Sequence, residues 1–198
     1  IPYEIFGGVK FYQRMEIQDI MAYLRLVAYD DDISFKRIVN KPRRKFGRAK
    51  LQRLTALQKD GMSLFRTLSE NLEDPLFKQS GAKEFAAAVE GLRQVYKSIP
   101  VSECVERICA DSGYEKYIRE LGDMERFENL SEFKRIASEY EKSFGEEVSL
   151  KAFINQISLQ AEDDGDESCD MVKLMTIHAA KGLEFPYVFI VGLSEGIF

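Results

Sequence analysis

The sequence is poor in the residues that hold transition metals. It has a single histidine, His178, and three cysteines, Cys104, Cys109 and Cys169, with no ligand-like spacing among them. A His/Cys zinc site has too few ligands here, and no metal site is expected. Three cysteines cannot all pair within one chain, and their scarcity suits a reducing compartment. No G-x-x-x-x-G-K-[ST] loop occurs, since neither Gly7-Gly8-Val9-Lys10 nor Lys181-Gly182 has that spacing. Nucleotide hydrolysis by that machinery is therefore not expected of this chain alone. No stretch approaches the roughly 18–20 consecutive apolar residues of a membrane span, and Ile1-Pro2-Tyr3-Glu4 lacks the basic flank and apolar core of a secretion signal. Neither a membrane anchor nor export is expected.

What is present is an ordinary globular composition: 198 residues, 45% hydrophobic and 31% charged, with 28 Lys+Arg against 33 Asp+Glu. Disordered, collagenous and disulfide-scaffold classes are excluded on these proportions. A chain of this length supports one or two domains with a real core.

The two ends differ in kind from the middle. Val172–Ile177 and Tyr187–Leu193 are short β-branched and aromatic runs that read as strands, the second as a buried one, and Tyr3–Phe6 reads as a third, stopped by Gly7-Gly8. Between them the pattern is helical. Ile17, Ile20, Met21, Leu24 and Val27 recur at spacings of three and four in a first helix over about 14–28. Asp30-Asp31-Asp32 breaks it and caps a second helix that runs through Val39. Further helices are expected over about 48–59, 63–70, 83–98, 101–111, 124–144 and 150–160, punctuated by Pro42, Gly61, Asp74-Pro75, Pro100, Gly113, Gly122 and Gly145. Residues 161–170 carry six acids and read as a solvated linker. The fold class is thus mainly α, a helical domain between strands of a partial α/β sheet contributed by both chain ends. Two or three strands make a poor sheet alone, so a larger parent protein is expected. Phe65, Phe77, Phe85, Phe127, Phe133 and Phe144 are assigned to the core, as are Cys104 and Cys109.

Charge is strongly segregated. Between Ile33 and Lys59 lie ten basic residues, Lys36, Arg37, Lys41, Arg43, Arg44, Lys45, Arg48, Lys50, Arg53 and Lys59, and no acid. Such density is relieved either by a polyanion such as a nucleic-acid backbone or by acids supplied from elsewhere in the fold. Within it, Pro42-Arg43-Arg44-Lys45-Phe46-Gly47 is a tight turn between two helices, and Gly47 stands at the start of the second. A glycine there lets the amides of a helix N-terminus approach a phosphate. This is the logic of a helix-hairpin-helix element, which holds duplex backbone without reading bases.

Near the C-terminus, Thr176-Ile177-His178-Ala179-Ala180-Lys181-Gly182-Leu183-Glu184-Phe185-Pro186 follows a strand, where open α/β sheets bind ligands. Thr176 and His178 offer groups that hold a phosphate or a base, Gly182 permits close backbone approach, and Glu184 can accept from ribose hydroxyls. A plain strand-to-helix loop with a surface histidine is the alternative.

The run from Val172 to Phe198 closely resembles motif V and its flanks in the UvrD/PcrA/Rep family of superfamily 1 DNA helicases. Gly7–Ile20 is similar to the segment after motif IV of that family, so the resemblance brackets the whole chain. It implies that residues 15–168 are the helical accessory subdomain called 2B, and that 1–14 and 169–198 are parts of the second RecA-like motor domain. It implies single-strand contacts by Thr176 and His178, and by Tyr12 and Arg14 near the strand path. It also implies nucleotide contacts by Glu184, with Lys181 and Gly182 beside the cleft, and a duplex grip by Arg43, Arg44, Lys45, Gly47, Arg48 and Lys50. The family usually has G-I-G in the hairpin; here Lys45-Phe46-Gly47 stands in its place, adding a charge and losing the glycine's freedom to adopt positive φ.

The parent so implied is a cytoplasmic, ATP- and magnesium-dependent 3′-to-5′ helicase of DNA repair or replication. Its partners would be duplex and single-stranded DNA and, in regulation, other proteins. This chain, lacking the phosphate loop, is expected not to unwind DNA. The alternative expectation is a regulatory, protein-interaction module whose rotation controls the motor, without significant DNA affinity of its own.

Overall fold

Ile17, Ile20, Met21, Leu24 and Val27 do line one face of helix α1 (Met15–Tyr29), but burial extends well beyond that stripe, to Asp19, Ala22, Tyr23 and Leu26. The reason is its central position, because α1 packs against helices on several sides. The computed structural model describes residues 3–6, 11–144, 148–162, 172–175, 177 and 180–192. The chain divides into two units, Lys10–Asp163 and Ile1–Val9 with Asp164–Phe198.

The larger unit is helical. A 3-10 turn (Phe11–Gln13) precedes α1, and then come α2 (Asp32–Ile38), α3 (Arg48–Leu57), α4 (Leu64–Glu70), α5 (Pro75–Lys78), α6 (Ala82–Val95), α7 (Val101–Asp111), α8 (Tyr114–Glu120), α9 (Met124–Phe144) and α10 (Leu150–Glu162). The partners of α1 are α2, α6, α7, α9 and α10. The three aspartates divide their work. Asp30 ends α1 at φ 58° and takes Arg93 at 2.5 Å, Asp31 caps α2 through the amides of Ile33 and Ser34, and Asp32 accepts from the Leu64 amide at the start of α4. Two short helices stand where the sequence shows only punctuation. Asp74-Pro75 is the cap and first residue of α5, and Gly113 and Gly122, at φ 73° and 69°, bracket α8, whose Tyr114 and Ile118 are buried.

Phe65, Phe77, Phe85 and Phe133 are buried, and Phe85 meets Phe35 edge-on with ring centres 5.8 Å apart. Phe127 is half-buried beneath the Arg119 guanidinium, and the Phe144 side chain lies outside the described residues. Burial pushes the Cys104 thiol up to about 11 and the Cys109 thiol to about 12, so both remain protonated at neutral pH. Among the described residues, no helix is long and apolar enough to cross a membrane.

In the smaller unit, β1 (Tyr3–Phe6) pairs in parallel with β2 (Val172–Met175), in register from Tyr3 opposite Val172 to Phe6 opposite Met175. Parallel neighbours need a long crossover, and here the intervening sequence holds all ten α-helices found among the described residues. The expected buried strand over Tyr187–Leu193 is corrected. Residues 187–192 form no strand, and Tyr187 and Phe189 are 86% and 89% exposed. A strand exists only through its partner, and the β1–β2 ladder is the sole pairing among the described residues.

Candidate nucleic-acid interface

The turn between α2 and α3 alternates its side chains. Arg43, Lys45, Gly47 and Arg48 are exposed, whereas Arg44 and Phe46 are buried. Phe46 stacks on Phe77 at 5.6 Å, and the Asn40 side-chain oxygen accepts from the amides of Arg44 (2.9 Å) and Phe46 (3.1 Å). Two inward anchors and one side-chain brace thus hold a turn that has no regular secondary structure. Lys45 adopts φ 56°, the left-handed conformation that glycine adopts most freely. The loss of positive φ expected from the lysine does not occur; the backbone takes that shape despite the side chain.

Gly47 precedes α3 with φ −86°, and α3 begins without a side-chain cap. A Cβ at Gly47 would meet nothing within 4 Å. Its glycine is therefore not demanded by packing, and the amides of Arg48, Ala49 and Lys50 have no hydrogen-bond acceptor among the described residues, an arrangement suited to an anion.

Arg44 is the correction in the expected duplex set. Only 8% exposed, its guanidinium donates to the carbonyls of Ile38, Lys41 and Ser112 and to the Tyr23 hydroxyl. It also lies 5.1 Å from the Phe85 ring centre. A guanidinium so enclosed cannot reach a phosphate. Other members of the basic run are neutralised internally. Buried Asp19 takes Arg37 at 2.7 Å and Lys41 at 3.0 Å, and Asp74 takes Arg53 at 3.2 Å. The reading in which acids elsewhere in the fold neutralise the run thus holds for Arg37, Lys41 and Arg53. Lys36, Arg43, Lys45, Arg48, Lys50 and Lys59 have no ion-pair partner among the described residues; Lys36 lies on α2, Arg43 and Lys45 in the hairpin, Arg48 and Lys50 on α3, and Lys59 just past the end of α3. Lys36 and Arg48 line a shallow groove with Leu51, Gln52, Thr55 and Ala56.

Tyr12 and Arg14 lie away from this hairpin in the chain. Arg14, at the start of α1, donates through Nη1 to Glu125 (2.9 Å) and Asn129 (2.7 Å) of α9. Tyr12 is half-buried edge-on to Phe11, and burial raises its phenol above the ordinary value, with Glu132 adding to the shift.

In the smaller unit, Thr176 and His178 lie outside the described residues. The Leu183 amide donates to the Ala180 carbonyl at 3.0 Å, closing a turn in which Gly182 takes φ 84°, a conformation only glycine adopts freely. Lys181, Gly182 and Glu184 are exposed along this turn.

Sequence reasoning missed the residues that support the hairpin: Asp19, Tyr23, Asn40, Gly81 and Ser112. One signal was available, because Asp19 and Tyr23 stand four apart on α1 and so share a face. A polar pair within an otherwise apolar helix stripe marks a buried network.

Comparison with known proteins adds the context. The family model for the UvrD-like helicase C-terminal domain matches residues 1–198. The chain is 37% identical over 212 residues to the ATP-dependent DNA helicase PcrA of Leuconostoc citreum, and 37% identical over 213 residues to the PcrA of Bacillus subtilis. All of this chain is covered, but only 28% and 29% of those proteins, so it spans well under a third of their length. The match over every residue and the identity to these helicases together establish that the chain belongs to the UvrD-like helicase C-terminal domain family.

Proposed function

We propose that this chain is the DNA-gripping accessory region, with the adjoining motif V segment, of an ATP-dependent 3′-to-5′ DNA helicase of the UvrD/PcrA type. In this reading residues 15–168 form the accessory subdomain. Residues 1–14 and 169–198 belong to a RecA-like motor domain whose remaining strands cover the exposed Tyr187–Val191 run. The observation that carries the proposal is the hairpin: Arg43, Lys45 and Arg48 point outward without acidic partners around the uncapped start of α3. Charged side chains and free amides at one helix N-terminus hold phosphates and position a duplex without reading its sequence.

The motor side follows from the resemblance. Thr176 and His178 would contact the tracking strand, with Tyr12 and Arg14 nearer its path. Glu184, Lys181 and Gly182 would line the nucleotide cleft, where ATP and magnesium bind in the parent. Without a phosphate loop this chain supplies none of the groups that transfer the phosphoryl group, and it is expected to hydrolyse no ATP by itself.

The test is fluorescence anisotropy with a tailed duplex across a salt series, comparing the native chain with Arg43→Ala/Arg48→Ala. Counterion release predicts a steep native slope that falls by about 0.9 for each phosphate the variant no longer neutralises. An unchanged slope in the double variant overturns the hairpin grip. A second reading, a regulatory module without DNA affinity, draws on the internal neutralisation of Arg37, Lys41 and Arg53 by Asp19 and Asp74. Absence of native binding even at low salt would favour it.

A further inference from the structure

Arg44 is a buried cation with no carboxylate partner among the described residues. Its compensation comes from oxygens with partial charge. Nη1 donates to the carbonyls of Lys41 at 2.7 Å and Ile38 at 3.2 Å, and Nη2 to the Ser112 carbonyl at 2.6 Å and the Tyr23 hydroxyl at 2.8 Å. Ile38 ends α2 and Ser112 follows the last residue of α7, so the guanidinium collects the negative ends of two helices. The rings of Phe85 and Tyr23, 5.1 and 6.0 Å from its carbon, complete the enclosure.

The same residue is fixed along its backbone. Its amide donates to Asn40, its carbonyl accepts from the Gly81 amide at 2.9 Å, and a Cβ at Gly81 would come within 3.1 Å of the Arg44 Cγ. The turn's first residues are held by α1 as well, where Tyr23 donates to the Lys41 carbonyl at 2.5 Å and Asp19 binds the Lys41 ammonium. Arg44 therefore ties α1, the end of α2, the α7–α8 junction and the start of α6 to one point of the hairpin. Arg44 turns inward, whereas its neighbours Arg43 and Lys45 are exposed.

From this we infer that Arg44 is a positioning residue: it never touches nucleic acid, and it sets the pose in which Arg43, Lys45, Arg48 and the amides after Gly47 meet phosphate. The inference rests on the duplex-grip reading. It also makes a distinction that charge alone does not. An arginine that acts only through its charge tolerates lysine, which keeps that charge. A guanidinium shared among acceptors on two sides does not, since one ammonium cannot span them.

The experiment compares Arg44→Lys, an Arg107→Lys control outside the hairpin and a distant core control, Phe153→Leu, in the full 198-residue chain at a temperature where all are folded. Duplex affinity and amide hydrogen exchange at positions 44 and 46 are the readouts. Arg44→Lys is expected to bind about tenfold more weakly, equivalent to about 1.4 kcal/mol. Arg107→Lys, on α7 and outside the grip, should bind as the native chain does, and Phe153→Leu should lose thermal stability without losing affinity. Without DNA, exchange at positions 44 and 46 should quicken in Arg44→Lys alone. Native affinity in Arg44→Lys, or an equal loss in Phe153→Leu, overturns the inference. If the native chain binds no duplex, the grip reading fails. Exchange quickened only at the hairpin then still supports Arg44 as its organiser, and unchanged or uniformly quickened exchange overturns that too.

Discussion

Lys45 occupies the left-handed region at φ 56° while its side chain stands exposed with no carboxylate partner among the described residues, so backbone strain and surface charge can be separated at one position. This conformation costs a non-glycine residue about 1–2 kcal/mol. Glycine removes that cost but frees the unfolded chain, which offsets about 0.4–1 kcal/mol of the gain. The net gain for Lys45→Gly is about 1 kcal/mol, a rise in Tm of about 3 °C for a chain of this length. Lys45→Ala removes the same charge and keeps the strain, so its Tm should stay near the native value. Both variants should lower the log–log salt slope of duplex binding by about 0.9, the share of one phosphate. Thermal unfolding followed by circular dichroism, with anisotropy titrations on the same samples, measures both effects. If glycine is no more stable than alanine, position 45 carries no strain. If neither variant changes the slope, Lys45 faces no phosphate and the outward half of the hairpin argument fails.

Other outcomes follow from the same packing. Gly81→Ala should cost about 1–3 kcal/mol, since its Cβ would press on an Arg44 side chain fixed at both ends, whereas Gly47→Ala meets open space and should cost under about 1 kcal/mol; equal losses in denaturant titrations would refute the contrast. At Asp31, burial raises the carboxyl pKa, but hydrogen bonds from the Ser34 hydroxyl and the Ile33 and Ser34 amides outweigh it, so the group sits below its ordinary 3.8. Its contribution is therefore complete above 3.8 and lost as pH falls below that through the lower folded-state value. Asp31→Asn, which caps without titrating, should show a smaller fall in Tm between about pH 6 and pH 3 than the native chain. In a Cys169→Ser background, a disulfide-exchange reagent at neutral pH should leave native Cys104 and Cys109 unmodified and label both in denaturant; rapid native labelling would contradict their burial.

Helix positions were legible wherever apolar spacing and a stop signal coincided. Val101–Asp111 and Met124–Phe144 run between the residues read from sequence, because Pro100 opens the first and Gly113 and Gly122 confine the neighbouring turns. The short α5 and α8 were not: α5 is a single turn, and α8 buries only Tyr114 and Ile118, too few apolar positions to set a period. The basic turn was located correctly in the chain, but composition could not distinguish an arginine that faces water from one that faces Tyr23 and Ser112. That distinction depends on alternation within an irregular segment, and on acceptors 21 and 68 residues away. The Tyr187–Leu193 run shows the opposite failure. Its residues record a demand for burial, and nothing in a local pattern says whether the described part of the chain meets it.

That run also governs how the chain behaves at concentration. Tyr187, Val188, Phe189, Ile190 and Val191 are consecutive, uncharged, rich in β-forming side chains and more than half exposed. Segments of this kind stack against copies of themselves. These five residues, remote in sequence from the hairpin, form one consecutive apolar run that favours self-association of the chain. Self-association through them would raise anisotropy in the same direction as DNA does. Dilution series without DNA, and a lysine at an outward position of the run, would keep clustering from being mistaken for grip.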